Sequence, residues 1–170
     1  LIRRTAEALG LSIITARTHN ASVFDAELFE KYDRVLCDVP CSGLGVLAKK
    51  PEIRHKDPTS FARLPQIQSQ ILDNCSRYVK PGGLLQYSTC TLSVAENEEV
   101  VKRFLSAHDE FSPVPFSYGP VVGAEGMCTI FPDQFEQIRC DGFFVAQMRK
   151  KSSVSSAANA DETDEHRSNS

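Results

Sequence analysis

Apolar positions along the chain recur in two periods. Leu64, Ile67, Ile71, Leu72, Cys75 and Val79 return every three or four residues, which predicts a helix. Pro65 is tolerable in its first turn, and Pro81-Gly82-Gly83 closes it. Ser93 with Glu96 three residues later reads as a capping box opening a second helix, whose apolar face is Val100, Val101, Phe104 and Leu105. Residues 1 to 9 read as a further helix with Gly10 as its C-cap. Short apolar runs alternate with these helices: Ile13, Ile14 and Ala16; Arg34-Val35-Leu36-Cys37, stopped by Asp38-Val39-Pro40; and Leu84 to Ser88. Cys128 to Phe131 and Gly142 to Met148 read as a closing antiparallel pair with a polar turn between them. Strands alternating with helices predict α/β with a mostly parallel sheet.

Residues 43 to 63 hold glycines, prolines and charges without either period, the kind of long loop that usually carries function. Beyond Ser152 the sequence is Ser, Ala, Asn, Asp and Glu with a single valine, too little apolar surface to offset ordering entropy. The expected organisation is therefore one domain over residues 1 to 150 and a disordered tail over 151 to 170.

Composition narrows the class further. With 170 residues, 41% hydrophobic and 24% charged, the chain can build one soluble core. No apolar run approaches the roughly 20 residues that cross a bilayer, so no membrane role is expected. The chain begins at Leu1 and shows no secretory leader. The net charge of −3 does not advertise a polyanionic partner, so any nucleic-acid site must be a local patch. Lys49, Lys50, Arg54, His55 and Lys56, clustered in the long loop, are the candidate. A charge run is more often a solvated surface; its place beside Cys41 makes phosphate contact an equal alternative.

Six cysteines include no Cys-x-x-Cys pair, and none of the four histidines stands at zinc-site spacing, so no metal is expected. Free thiols in apolar runs suit the reducing cytoplasm. Cys37, Cys75, Cys128 and Cys140 read as core residues, because a free cysteine is usually a small buried hydrophobe. Cys41 and Cys90 differ. Each follows an apolar strand, and in an open α/β sheet both would sit at strand carboxyl ends, the edge where such sheets hold their ligands. Two thiols aimed at one crevice point to covalent chemistry.

The segments Asp38-Val39-Pro40-Cys41-Ser42-Gly43, Lys80-Pro81-Gly82-Gly83, Tyr87-Ser88-Thr89-Cys90-Thr91, Glu96-Asn97-Glu98-Glu99 and Asp141-Gly142-Phe143-Phe144-Val145-Ala146 together resemble the S-adenosylmethionine-dependent RNA cytosine-5 methyltransferases. The resemblance is to the bacterial ribosomal RNA small subunit methyltransferase B branch and covers roughly residues 1 to 150. It implies a Rossmann-like methyltransferase fold, N-terminally incomplete, with S-adenosylmethionine as cofactor and ribosomal RNA, 16S, as substrate. Carbon 5 of cytosine is a poor nucleophile, so such enzymes add a thiolate to carbon 6. The resemblance gives that role to Cys90, assistance of product release to Cys41, and contact with the base and the cofactor's methionine end to Asp38. A strand-end turn former is the plainer reading of Asp38. The target cytosine must be unpaired or flipped.

Two departures stand out. The glycine-rich turn and ribose-binding acid that normally open a cofactor site are absent upstream of Asp38, which reads as a fragment of a longer protein. The family's usual Asp before Ala or Gly, addressing the adenine, is Asn20-Ala21 here, leaving Asn20 as an uncharged cofactor contact. A strand at 13 to 17 would also lack its pairing neighbour, and a bare edge invites aggregation. Two other readings stay open: a DNA cytosine-5 methyltransferase with Cys41 as nucleophile, and a non-catalytic RNA-binding fragment. A dithiol redox role is remote, given the spacing.

Overall fold

A computed structural model describes residues 1–135 and 140–152. Helix α1, Ile2–Ala8, ends as expected: Leu11 N–H donates to Ala6 O, Gly10 N–H to Glu7 O, and Gly10 takes φ +66°. Strand β1, Tyr32–Asp38, pairs in parallel with β2, Val79–Thr89, which places Asp38 opposite Ser88. Between them runs helix α2, Leu64–Tyr78. After β2 comes helix α3, Glu98–Ala107, and then strands β3, Phe111–Pro113; β4, Phe116–Tyr118; β5, Val121–Gly123; β6, Met127–Ile130; and β7, Phe143–Lys150.

The central sheet runs β1-β2-β7-β3, with β6 sharing the outer edge of β7. β6 pairs with the first half of β7 and β3 with the second, both antiparallel. The closing antiparallel pair read from the sequence is thus β6 and β7. The sheet is α/β in class but mixed: among the described residues only the β1–β2 ladder is parallel. The polar turn between β6 and β7 lies partly outside the described residues, and the expected tail almost wholly so.

Helices α2 and α3 cover one face of the sheet. Leu72, Val79, Leu85, Tyr87, Val100, Val101, Phe104, Phe144, Ala146 and Met148 form the core there. The ladder row Cys37, Tyr87, Ala146 points into this core, and the neighbouring row Leu36, Gln86, Gln147 faces the other side. On that side Gln147 Nε2 donates to Gln86 Oε1 (3.2 Å) and to Tyr118 of the β4–β5 hairpin (2.6 Å).

Three expectations are corrected. Residues 13 to 17 form no strand: Ile13 is 90% exposed, and among the described residues no neighbouring strand offers the ladder that an extended segment needs. The Ser93–Glu96 capping box does not form, because Glu96 is 3% exposed and turns into the core while α3 starts two residues later. Of the four cysteines read as core, Cys37 is buried and Cys75 packs against the core, whereas Cys128 and Cys140 lie outside it. Cys128 belongs to β6, which lies at the rim of the sheet.

The outer edge of β1 has no partner strand among the described residues, and Leu36 on it is 66% exposed. Such an edge is a template for pairing with another chain. The isolated chain is expected to self-associate with rising concentration in light scattering, and Leu36→Lys to reduce this. A chain that stays monodisperse at all concentrations contradicts the expectation.

Candidate active site at the sheet's carboxyl edge

β1 and β2 are adjacent and parallel, so both chains leave the sheet at the same edge. β1 ends at Asp38 and leads into Val39, Pro40 and Cys41; past β2 come Cys90 and Thr91. The Cys41 and Cys90 sulfurs lie 3.3 Å apart, both half-buried and both free thiols. Asp38 is exposed at the strand end, its Oδ1 accepting from Ser88 Oγ at 3.1 Å. The three residues expected to carry the chemistry thus share one edge.

Hydrogen bonds fix both loops. Gln68, on the sheet-facing side of α2, donates to Pro40 O at 2.9 Å and to Glu96 Oε2 at 3.0 Å. Glu96 Oε2 also accepts the Ser42 N–H at 2.9 Å. Ser42 and Thr91 join through their hydroxyls at 2.7 Å. Thr89 Oγ1 donates to Asn97 Oδ1 at 2.6 Å, and Asn97 Nδ2 donates to Thr91 O at 3.0 Å. Gly45 N–H donates to Cys90 O, and Gly142 N–H to Gly45 O. A Cβ on Gly45 would stand 2.2 Å from Gly142 O, so only glycine admits this approach.

The Cys41 thiol is pushed up to about 12, first by burial and then by its hydrogen bond to Cys90, while the N–H groups of Cys90 and Gly43 pull the other way. At neutral pH Cys41 therefore keeps its proton. The folded chain holds a proton that an unfolded thiol sheds near 9.0, so this contribution to stability is complete below that value and is lost as pH climbs toward about 12. Cys41→Ser should flatten that alkaline decline; urea midpoints on either side of the window check it. Cys37 is also pushed up, by its hydrogen bond to Cys75 and by burial, but it lies in the core and not at this edge.

Lys50, Arg54, His55 and Lys56 are exposed on the loop after Cys41, without ion-pair partners among the described residues. Lys49 pairs with Asp141 at 2.6 Å, so its charge is partly spent on joining the loop to the approach of β7. Buried Ile53 anchors the loop from beneath. Among the described residues, the hydrogen bonds of Asn20 are local, to Ser22 and Val23, and none reaches this edge. It is exposed in irregular chain, and its Oδ1 accepts the Ser22 N–H at 3.1 Å.

Residues 1–149 match the family model of the 16S rRNA methyltransferase RsmB/F. The chain belongs to that family. A ribosomal RNA small subunit methyltransferase B, so described as probable, from Bacillus subtilis strain 168 is 42% identical over 161 residues, covering 89% of this chain and 35% of the relative. Ribosomal RNA small subunit methyltransferase F of Salmonella agona strain SL483 is 40% identical over 148 residues, covering 82% of this chain and 30% of the relative. The chain spans about a third of the length of these RsmB/F relatives. Among solved structures, the crystal structure of PH0851 superposes with a TM-score of 0.80 at 31% identity, covering 88% of this chain and 34% of that one. A methyltransferase homologue from Pyrococcus horikoshii superposes at 0.66 with 25% identity, covering 88% of this chain and 50% of that one. The RsmB/F chain thus has the Rossmann-like methyltransferase fold in part.

Sequence reading missed Glu96, Asn97 and Gln68 as holders of this site. Gln68 carried a signal: it interrupts the apolar stripe of α2 between Ile67 and Ile71.

Proposed function

We propose that the protein carrying this chain methylates carbon 5 of cytosine in small-subunit ribosomal RNA. The observation that carries the reading is the pair of thiols 3.3 Å apart at the carboxyl ends of adjacent parallel strands, in a chain of the RsmB/F family. Bound S-adenosylmethionine supplies the methyl group. The described residues fit it only in part: Asp38 offers an exposed carboxylate at the strand end, while Asn20 spends its side-chain oxygen on Ser22 and no glycine-rich strand-to-helix turn is present among them.

What these residues do to the base follows from their chemistry. The Cys90 thiol gives its proton to solvent, its thiolate bonds to carbon 6, and the electron pair of the 5,6 double bond passes to carbon 5 for methyl transfer. Asp38 hydrogen-bonds the ring and supports the charge that develops there. In the resting site burial, and then the hydrogen bond with Cys90, keep the Cys41 thiol protonated. With Cys90 bonded to carbon, the Cys41 thiol releases its proton to solvent. Its thiolate then takes the carbon 5 proton, the double bond re-forms, and Cys90 leaves with its electron pair. Lys50, Arg54, His55 and Lys56 hold the RNA backbone so that an unpaired cytosine enters.

The test is methyl transfer from labelled S-adenosylmethionine by the intact protein to unmodified small-subunit RNA, followed by nucleoside analysis. Label in 5-methylcytidine is expected. Label in another nucleoside overturns the chemistry, and RNA binding without methyl transfer favours a binding module.

A further inference from the structure

We propose that Glu96 and Asn97 are positioning residues that set the distance between the two thiols, each holding one cysteine loop. The use of that distance rests on the function proposed above; the placement stands on geometry alone. Glu96 and Asn97 are adjacent in sequence, 3% and 0% exposed, and lie between the β2 exit and the start of α3. Tyr87, within β2, donates its hydroxyl to Glu96 O at 2.6 Å and so ties the turn to the sheet.

Their side chains diverge. The Glu96 carboxylate reaches the β1 exit, accepting the Ser42 N–H directly and meeting Pro40 O through the shared Gln68 amide, so the residues on both sides of Cys41 are held. The Asn97 amide reaches the β2 exit and bonds Thr89 and Thr91, the residues on both sides of Cys90. The Ser42–Thr91 hydroxyl pair closes the ring. Burying a carboxylate is costly unless it is hydrogen-bonded, and charge-assisted bonds to backbone N–H are among the stronger ones. A side chain that served only the core would be apolar here. The carboxylate accepts both of its hydrogen bonds from groups that fix the Cys41 loop.

The test uses dibromobimane, which fluoresces only after alkylating two thiols, on the intact protein without RNA or cofactor, with peptide mapping of the bridge. Wild-type protein is expected to bridge Cys41 to Cys90. Glu96→Asp keeps the charge but draws it back by one methylene. It should slow bridging by about tenfold or more, the factor that one charge-assisted hydrogen bond is worth. Single alkylation of Cys90 by iodoacetamide should stay at the wild-type rate. Glu96→Gln, whose amide oxygen still accepts from Ser42, should restore bridging toward wild type. Asn97→Ala should slow bridging and alter Cys90 alkylation as well. Glu96→Ala is the more severe variant, and if it does not fold Glu96→Asp decides the matter. Bridging at the wild-type rate in folded Glu96→Asp overturns the proposal, as does an equal loss in Glu96→Gln. Slowed bridging in a protein without methyl transfer would leave the placement standing and remove only the function above.

Discussion

Cys90→Ser should abolish methyl transfer to cytosine, by about a thousandfold or more, the scale on which loss of a covalent nucleophile acts. A serine hydroxyl is far harder to ionise than a thiol and a weaker nucleophile toward carbon 6. The variant should keep its fold, because the hydrogen bonds that hold this loop come from Thr89, Thr91 and the Cys90 backbone rather than from the sulfur. Cys41→Ser should behave differently. Its nucleophile is intact, so carbon 6 is attacked and methylated, but the proton at carbon 5 has lost its acceptor. Turnover should fall by about a hundredfold, a modest value for loss of a general base, and protein bound covalently to ordinary RNA should accumulate on a denaturing gel. Equal loss in both variants with no covalent complex contradicts the division of labour.

Gly45→Ala should disrupt the site from outside the chemistry. The added carbon meets Gly142 O at 2.2 Å and Cys90 O at 2.8 Å, both backbone atoms that no rotamer change can move. Relief requires the loop after Cys41 to withdraw from the turn at Cys90, breaking the Gly45–Cys90 and Gly142–Gly45 hydrogen bonds. Overpacking of this kind costs about 1–3 kcal/mol or more. A lowered urea midpoint is expected, together with loss of methyl transfer that exceeds the loss of folded protein. Wild-type stability and activity in Gly45→Ala would show that the two loops are not locked at this point.

Much of this edge was legible in the sequence because strand ends are marked locally. Pro40 follows the end of β1, and the apolar periods of α2 and α3 place them on the sheet; Val79 and Pro81-Gly82-Gly83, read as the end of α2, instead lie inside β2, where the ladder with β1 is irregular. The role of Glu96 was not legible. Ser93 and Glu96 stand at capping-box spacing, and nothing local reveals that Ser42, 54 residues away, presents an N–H that the carboxylate meets instead. The contact of Gly45 with Gly142 is hidden for the same reason, being set by two loops remote in sequence. Ile13 and Ile14 show the converse. Their local pattern is that of a strand, but a strand exists only through a neighbour's hydrogen bonds, and none is present among the described residues.

Whether Cys90 forms the bond to the base is decided by trapping on RNA containing 5-fluorocytosine. Fluorine at carbon 5 cannot leave as a proton does, so the adduct persists and the modified peptide can be sequenced. A covalent complex with the intact protein is expected, the base attached at Cys90, retained in Cys41→Ser and absent in Cys90→Ser. A complex attached at Cys41, or one that Cys90→Ser still forms, would contradict it.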